Sequence, residues 1–466
     1  MRWIATAALA ACGTLFVVSA GALAPDGEIY QKQAAMAPVI FTAAPVYASL
    51  AALRGGERFP KGARLMVLRG GQAEVLVPDF AASADASVSF DGKTVLFAGK
   101  KNAGDAWGIW EVAAEGGAPR LAMGGSADRI RPLWMPDGRM VYARRGPDGF
   151  ALEAAALDGS GVMKLTYLPG NFVPDDVLRD GRVLFESGFP LGAGATPEMF
   201  LVYADGSGVE SVRCDHPEGR SNGGREHGRQ IGSGDIVFTH GPRLARFTSP
   251  LAAEEPVAAP VGEYAGDVVE MPEGRWLLAV RRPGQQHFWL GAWRPGAVGV
   301  ASVAQDAERD LVEPVVVAPR AVPNRHPSAL HPWAFGNLLV LDARQSRSGA
   351  LQTAPAMVRA ETLGADGEVV PLGTAPVEKD GSFFVQAAGD RPLRFILLDA
   401  AGKTLREEHG WFWVRRGEQR ICVGCHTGPE RAPENRVPEV LLRTQTPVDL
   451  TGGSGSDAKA AGGHSE

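Results

Sequence analysis

Cysteine is nearly absent from this chain: four in 466 residues, at positions 12, 214, 422 and 425. Four thiols so scattered make no disulfide framework, so a packed core rather than cross-links must hold the fold. A basic stripe is also missing. The net charge is −6, and the pairs Arg144–Arg145, Arg281–Arg282 and Arg415–Arg416 stand alone, which excludes a general nucleic-acid binder. Beyond residue 24 no run is long and apolar enough to cross a bilayer. There is no Gly-rich phosphate loop, no His-Glu-x-x-His zinc motif and no nucleophile elbow. No acid–base cluster is visible either, so no catalytic residue is named.

What the chain has in quantity is glycine (59) and proline (34), with 45% hydrophobic and 21% charged residues. That composition buries a sizeable core and favours short strands joined by turns over long helices. The length suits two or three domains. At the N-terminus, Arg2 precedes an apolar stretch from Trp3 to Ala24, followed by Pro25-Asp26-Gly27. Residues 1–24 read as a secretory signal peptide with small residues near Ser19–Ala22 for cleavage, or as an uncleaved anchor. Cys12 sits in a lipobox-like Leu9-Ala10-Ala11-Cys12, but the apolar run continues past it. The expected location is periplasmic, with the inner membrane touched only through an anchor.

Between residues 38 and 320 a repeat recurs: a turn containing glycine, then a short alternating strand. It appears as Asp91-Gly92-Lys93-Thr94-Val95, Asp137-Gly138-Arg139-Met140-Val141, Asp180-Gly181-Arg182-Val183-Leu184, Ser233-Gly234-Asp235-Ile236-Val237 and Glu273-Gly274-Arg275-Trp276-Leu277. Its glycines lie 40 to 53 residues apart, about one four-stranded propeller blade. A second element, Asp158-Gly159-Ser160-Gly161, returns as Asp205-Gly206-Ser207-Gly208. With Lys61–Leu68 assigned to the closing blade, the expected fold is all-β: a propeller of about six blades. A small antiparallel β domain over 321–400, a segment over 401–450 that carries the last two cysteines and a disordered tail over 451–466 follow it.

The strongest signal is Cys422-Val423-Gly424-Cys425-His426. A Cys-x-x-Cys spacing lets two thiols form thioethers with the vinyl groups of one haem, and the next histidine then reaches the iron. A zinc site would need a second cysteine pair, and a thioredoxin-like pair would need a βαβ unit; neither is present. One covalent haem c is therefore expected on Cys422 and Cys425, with His426 as axial ligand, in keeping with export. No methionine follows the motif, and the single later histidine, His464, lies in the tail. A distal ligand must come from upstream, where His216, His227, His240, His287, His326, His331 and His409 are available. His240 follows a propeller strand, His331 lies with His326 at the hinge, and His409 is 13 residues before Cys422. Trp411, Phe412, Trp413 and Ile421 are candidates to wall the porphyrin, and Arg415, Arg416 and Arg420 to pair with its propionates.

The stretch from Val312-Glu313-Pro314-Val315, through Gly373-Thr374-Ala375-Pro376-Val377-Glu378-Lys379-Asp380-Gly381-Ser382-Phe383-Phe384-Val385, to Trp411, Arg416-Gly417-Glu418 and Ala432-Pro433-Glu434-Asn435 resembles proteins related to the hydrazine synthase alpha subunit. The resemblance implies a six-bladed propeller, likened to that family's middle domain, then a small domain whose c-type haem has two histidine ligands. It carries over residue by residue only to Cys422, Cys425 and His426. The family's additional N-terminal haem domain has no counterpart here, since no second Cys-x-x-Cys-His occurs, so hydrazine synthesis is not expected. Three functions remain open. The expected one is an exported monohaem cytochrome that passes electrons to a redox partner protein, the propeller serving as scaffold or binding surface. The others are a haem enzyme or enzyme subunit acting on a small nitrogen or oxygen species, and a propeller binding module with a structural haem.

Overall fold

The computed structural model describes residues 36–188, 197–212, 224–249, 252–345, 351–408, 410–424 and 435–452. Six four-stranded antiparallel sheets form the first body. Five are continuous in sequence, running from Ala82–Val88 to Arg120–Met123, from Arg129–Trp134 to Met163–Lys164, from Phe172–Val177 to Glu210–Ser211, from Arg225–Gln230 to Glu255–Pro256, and from Glu263–Met271 to Ala301–Ala304. The sixth is shared by the two ends of the body. Asp310–Val316 pairs with Val39–Ala44, which continues to Arg64–Arg69 and Gln72–Val75. A ring closed in this way leaves no unpaired blade edge at the seam. Arg64–Arg69 lies in the closing blade, where the sequence placed it.

The repeat glycines mark one turn in each continuous blade, between its first and second strands. Gly92, Gly138, Gly181, Gly234 and Gly274 have φ of 76°, 85°, 87°, 99° and 67°. That left-handed region admits glycine without a Cβ penalty and disfavours other residues. At Gly181 the geometry is doubly restrictive, because a Cβ would also collide with the carbonyl of Asn324 on the segment leaving the propeller.

Eight further strands form two facing sheets. One has the order Gln419–Gly424, Phe335–Asp342, Phe383–Ala388, Val448–Leu450; the other Val369–Pro376, Met357–Leu363, Arg394–Leu398, Thr404–Glu407. Alternate residues turn inward, so Leu338, Val340, Phe383, Val385, Ala387, Val358, Ala360, Phe395 and Leu397 make a shared core. The pairings that add Gln419–Gly424 and Val448–Leu450 are parallel. The reason for the first is local. Gly417 N–H donates to the Phe335 carbonyl (2.8 Å) and His331 N–H to the Gly417 carbonyl (3.0 Å), so both strands start from one clamp and run the same way.

The two bodies are latched through the second Asp-Gly-Ser-Gly element. Trp413, 1% exposed, joins the propeller's core and its indole N–H donates to the Gly206 carbonyl at 2.8 Å. Gly208 N–H donates to Glu418 Oε1 (3.1 Å), the Ser328 hydroxyl to Asp205 Oδ2 (2.6 Å), and Arg415 to the Asp205 carbonyl. Trp413→Ala empties a buried indole site, which costs about 3–5 kcal/mol in comparable cores. The expected result is early release of the C-terminal sheets in urea, seen as a second transition in tryptophan fluorescence that the parent protein lacks.

Among the described residues, no helix is long and apolar enough to cross a membrane.

Candidate functional site

The strand Gln419–Gly424 runs into the Cys-x-x-Cys-His motif, of which it contains Cys422, Val423 and Gly424. Cys425 and His426 lie outside the described residues, as do residues 1–35 with the signal or anchor segment, Cys214, His216, His409 and the tail beyond 452. Cys422 is described. It is half-buried with a free thiol on an edge strand, opposite Val340, and therefore on the face that looks into the space between the two sheets. Burial pushes its thiol above the ordinary range, against the lowering effect of Arg420. The Glu408 carboxyl is close enough to act on that thiol as well, and burial pushes Glu408 itself up to about 7. Arg420, two residues back on the same face, has its guanidinium 5.5 Å from the Phe412 ring and donates to the Trp413 carbonyl (3.1 Å).

The other face of this sheet is apolar where it should be polar. Ile421 is 66% exposed and sits in one cross-strand row with Leu339 and Phe384, both only half-buried. Val437 (59%) and Leu442 (73%), after the motif, are exposed too. Large apolar side chains gathered on both sides of one segment call for a cover. A free, neutral, half-buried thiol on an open sheet edge, with Phe412 on one side and an uncovered apolar row on the other, fits a thioether-linked porphyrin.

The flanking residues divide by role. Phe412 and Ile421 lie on this edge, whereas Trp413 packs into the propeller. Trp411 carries the Arg394 guanidinium 4.8 Å from its ring. Arg415 is held by Asp390 (2.7 Å) and Asp205 in the latch, and Arg416 is an exposed neighbour of Asp390 at 3.4 Å. Of the three arginines, Arg420 stands at Cys422.

The upstream histidines are dispersed. His240, closing the strand Ile236–His240, holds Glu254 Oε1 at 2.5 Å through Nδ1. His287 lies 3.4 Å from Asp310. His326 stacks on Tyr203, centroids 3.8 Å apart. His331 stacks on Trp333 at 4.5 Å and its backbone N–H is held by the Gly417 carbonyl at the foot of the strand Gln419–Gly424. His227 is inside the propeller, 3% exposed.

That last histidine belongs to a ring of polar residues that the sequence reading did not bring together. The first strand of each blade lines the axis, and each breaks register once. At those six breaks stand Asp85, Arg131, Asp175, His227, Asp267 and Glu313, all at most 4% exposed. Asp85, Arg131, His227 and Glu313 have φ between 52° and 61°, a conformation that side chains other than glycine seldom adopt and that here turns them inward. Arg131 holds both oxygens of Asp267 (3.1 and 3.2 Å) and reaches Asp175 (3.3 Å). Arg58 bridges Glu313 (2.6 Å) and Asp85. Behind the ring lie Tyr47, Glu186, Glu226 and Arg229. A sequence signal existed: a polar residue precedes each repeat glycine by six or seven positions. Each such residue alone looks like a solvated strand end.

The ring is richer in acid than in base. Burial would raise the Asp267 carboxyl, but Arg131 and Arg229 outweigh it and hold it well below the ordinary range. Burial and then Glu226 push Glu186 from 4.5 up to about 8, and burial and then Glu186 push Asp175 well up. His227 is drawn down by burial yet ends above its ordinary value because of Asp267. A carboxyl with a raised folded-state value binds its proton more tightly folded than unfolded, so stability is lost as pH rises from about 4.5 to about 8. Thermal unfolding followed across that window in the presence of a chelator is expected to show a falling midpoint, and Glu186→Gln to flatten the slope. The groups facing Glu186 in this experiment are Asp175, Glu226, Arg131 and the His227 backbone.

A closed six-bladed propeller latched to a two-sheet domain, with a free cysteine on that domain's edge strand, is the class of protein these observations define. Residues 342–427, spanning most of the two-sheet domain and the haem motif, match the family described as the hydrazine synthase alpha subunit middle domain. The chain is related to the hydrazine synthase alpha subunit through this region. The match falls on the sheets after the propeller, and not on the propeller to which the sequence resemblance assigned the middle-domain likeness. Hydrazine synthase of Kuenenia stuttgartiensis has the same fold over 88% of this chain and 72% of its own, with a TM-score of 0.74 and 18% identity. TolB of Acinetobacter baumannii overlaps 61% of this chain and 69% of its own at a TM-score of 0.43 and 13% identity. No curated protein matches the chain.

Proposed function

We propose that this protein is an exported, monohaem c-type cytochrome that transfers electrons, with one haem c attached to Cys422 and Cys425 and ligated by His426. The observation that carries the reading is the Cys-Val-Gly-Cys-His sequence leaving an edge strand whose outer face is uncovered apolar surface. Electron transfer is favoured by the single Cys-x-x-Cys-His motif beside exposed apolar surface; among the described residues, Arg420, Glu408 and Glu418 act on the Cys422 thiol, and Arg420 is also held by the Trp413 and Val209 carbonyls. We assign the distal ligand to His409, because the preceding residue, Glu408, reaches Cys422. His240 is held by Glu254, and His331 is clamped at the foot of the strand. A redox partner protein would approach over Ile421, Val437 and Leu442. Export to the periplasm rests on residues 1–24, as cleaved signal or as anchor.

The test is the absorption spectrum of protein made with a working cytochrome maturation system, oxidised and reduced, with and without carbon monoxide. Two histidines on the iron give a low-spin spectrum that carbon monoxide does not change, and His409→Ala opens the iron to it. Rapid carbon monoxide binding by the unaltered protein would favour the second reading, a haem enzyme or subunit, which the relation to the hydrazine synthase alpha subunit supports.

A further inference from the structure

We propose that the propeller axis contains a binding site for one zinc-class divalent cation, with Asp175, Glu186 and His227 as ligands. The ligand atoms of these three buried residues all lie within 4.8 Å of one another. An ion about 2.0–2.2 Å from each would need them within roughly 4.4 Å, a closure that side-chain rotation of either carboxylate supplies. One nitrogen and two oxygens suit zinc and its neighbours better than calcium or magnesium, which prefer all-oxygen shells.

Two independent observations point to a missing cation. The first is charge. Arg58, Arg131 and Arg229 are faced by Asp85, Asp175, Glu186, Glu226, Asp267 and Glu313, all buried or bonded into the same network. With Arg54 acting on Glu226 as a fourth guanidinium and Asp176 bonded to Arg229 as a seventh carboxylate, carboxylates still outnumber guanidiniums, and buried like charges must take up protons or a cation. The surplus is concentrated at Asp175 and Glu186, which act on each other directly. The second is His227. Its Nδ1 is buried and meets no acceptor in hydrogen-bonding geometry; its one charged neighbour, Asp267 at 3.4 Å, pairs with it as a charge and is held more closely by Arg131 and Arg229.

The surroundings are those of a prepared ligand set. His227 Nε2 meets the Tyr47 hydroxyl at 3.0 Å, and that hydroxyl donates to Glu313 Oε1 at 3.2 Å. Such a chain orients the ring and leaves Nδ1 for the ion. The backbone N–H groups of His227 and Gly228 each hold one carboxylate, on Glu186 and on Asp175 at 3.1 Å. A cleft of about 310 Å³ reaches Arg58 and Asp85 of the same network from the face bearing Phe59 and Trp107.

The experiment uses the full haem-loaded chain, purified without chelator, with zinc and haem iron counted separately by elemental analysis. About one zinc per chain is expected, removable by a chelator and restored by zinc chloride with a rise in the unfolding midpoint. Glu186→Gln and His227→Gln should each weaken zinc binding by roughly 100-fold or more while haem content stays unchanged. If a variant does not fold, calorimetric titration of chelator-treated parent protein with zinc decides. The proposal is overturned if the parent binds no zinc at micromolar concentration, or if both variants bind it as the parent does. Because haem is counted in the same samples, a failure of the cytochrome reading leaves this result separately legible.

Discussion

Replacing Cys422 and Cys425 together by alanine is expected to leave a colourless, folded protein with no covalently bound haem. Each thiol supplies one thioether, so the double variant removes both attachments, and no cysteine beyond 12 and 214 remains to replace them. The fold should survive. Cys422 sits at the margin of the C-terminal core rather than in its centre, and trimming a half-buried thiol to a methyl costs about 1 kcal/mol or less. Haem staining of a denaturing gel and the mass of the intact chain check the result. Haem retained at the parent level in the double variant would remove the basis of the cytochrome assignment. His426→Ala separates attachment from ligation: the haem is expected to remain covalently bound while the spectrum becomes high-spin.

The largest loss of stability is expected from Arg131→Met. Arg131 makes two bonds to Asp267, one to Asp175, and through its backbone one to Asp85. It thereby ties four of the six blades together at the axis. Removing one partner of a buried ion pair leaves the other charge uncompensated, which costs about 3–5 kcal/mol. Urea unfolding should show this as a lower midpoint with unchanged slope. The added change Asp267→Asn should recover part of the loss, since it removes the carboxylate left behind. A double variant no more stable than Arg131→Met alone would show that the damage comes from lost packing of the guanidinium instead.

The propeller was legible from the sequence because its signal is periodic and local. Gly92, Gly138, Gly181, Gly234 and Gly274 each satisfy a left-handed turn that few other residues accept, so the repeat announces the blade. Closure of the ring was legible only in outline: that Lys61–Leu68 belongs to the last blade follows from counting, but its pairing through Val39–Ala44 with Asp310–Val316 joins residues over 260 positions apart. The C-terminal region was read as a small sheet followed by a separate haem segment. In the fold, Gln419–Gly424 and Val448–Leu450 complete one of two facing sheets, because Gly417 clamps the first of these strands beside Phe335. Trp413, so near the motif, reads as a haem wall until the latch to Gly206 is seen.

The haem motif is a chemical statement made by five consecutive residues, and no folding is needed to read it. The polar axis is different in kind. Asp85, Arg131, Asp175, His227, Asp267 and Glu313 come from six strands spread over more than 220 residues, and each is unremarkable beside its own neighbours. Only ring closure brings them within hydrogen-bonding distance, away from water, where their charges have no solvent to answer to and must answer to one another. Short-range chemistry was written in the chain; the meeting of distant charges was decided by topology.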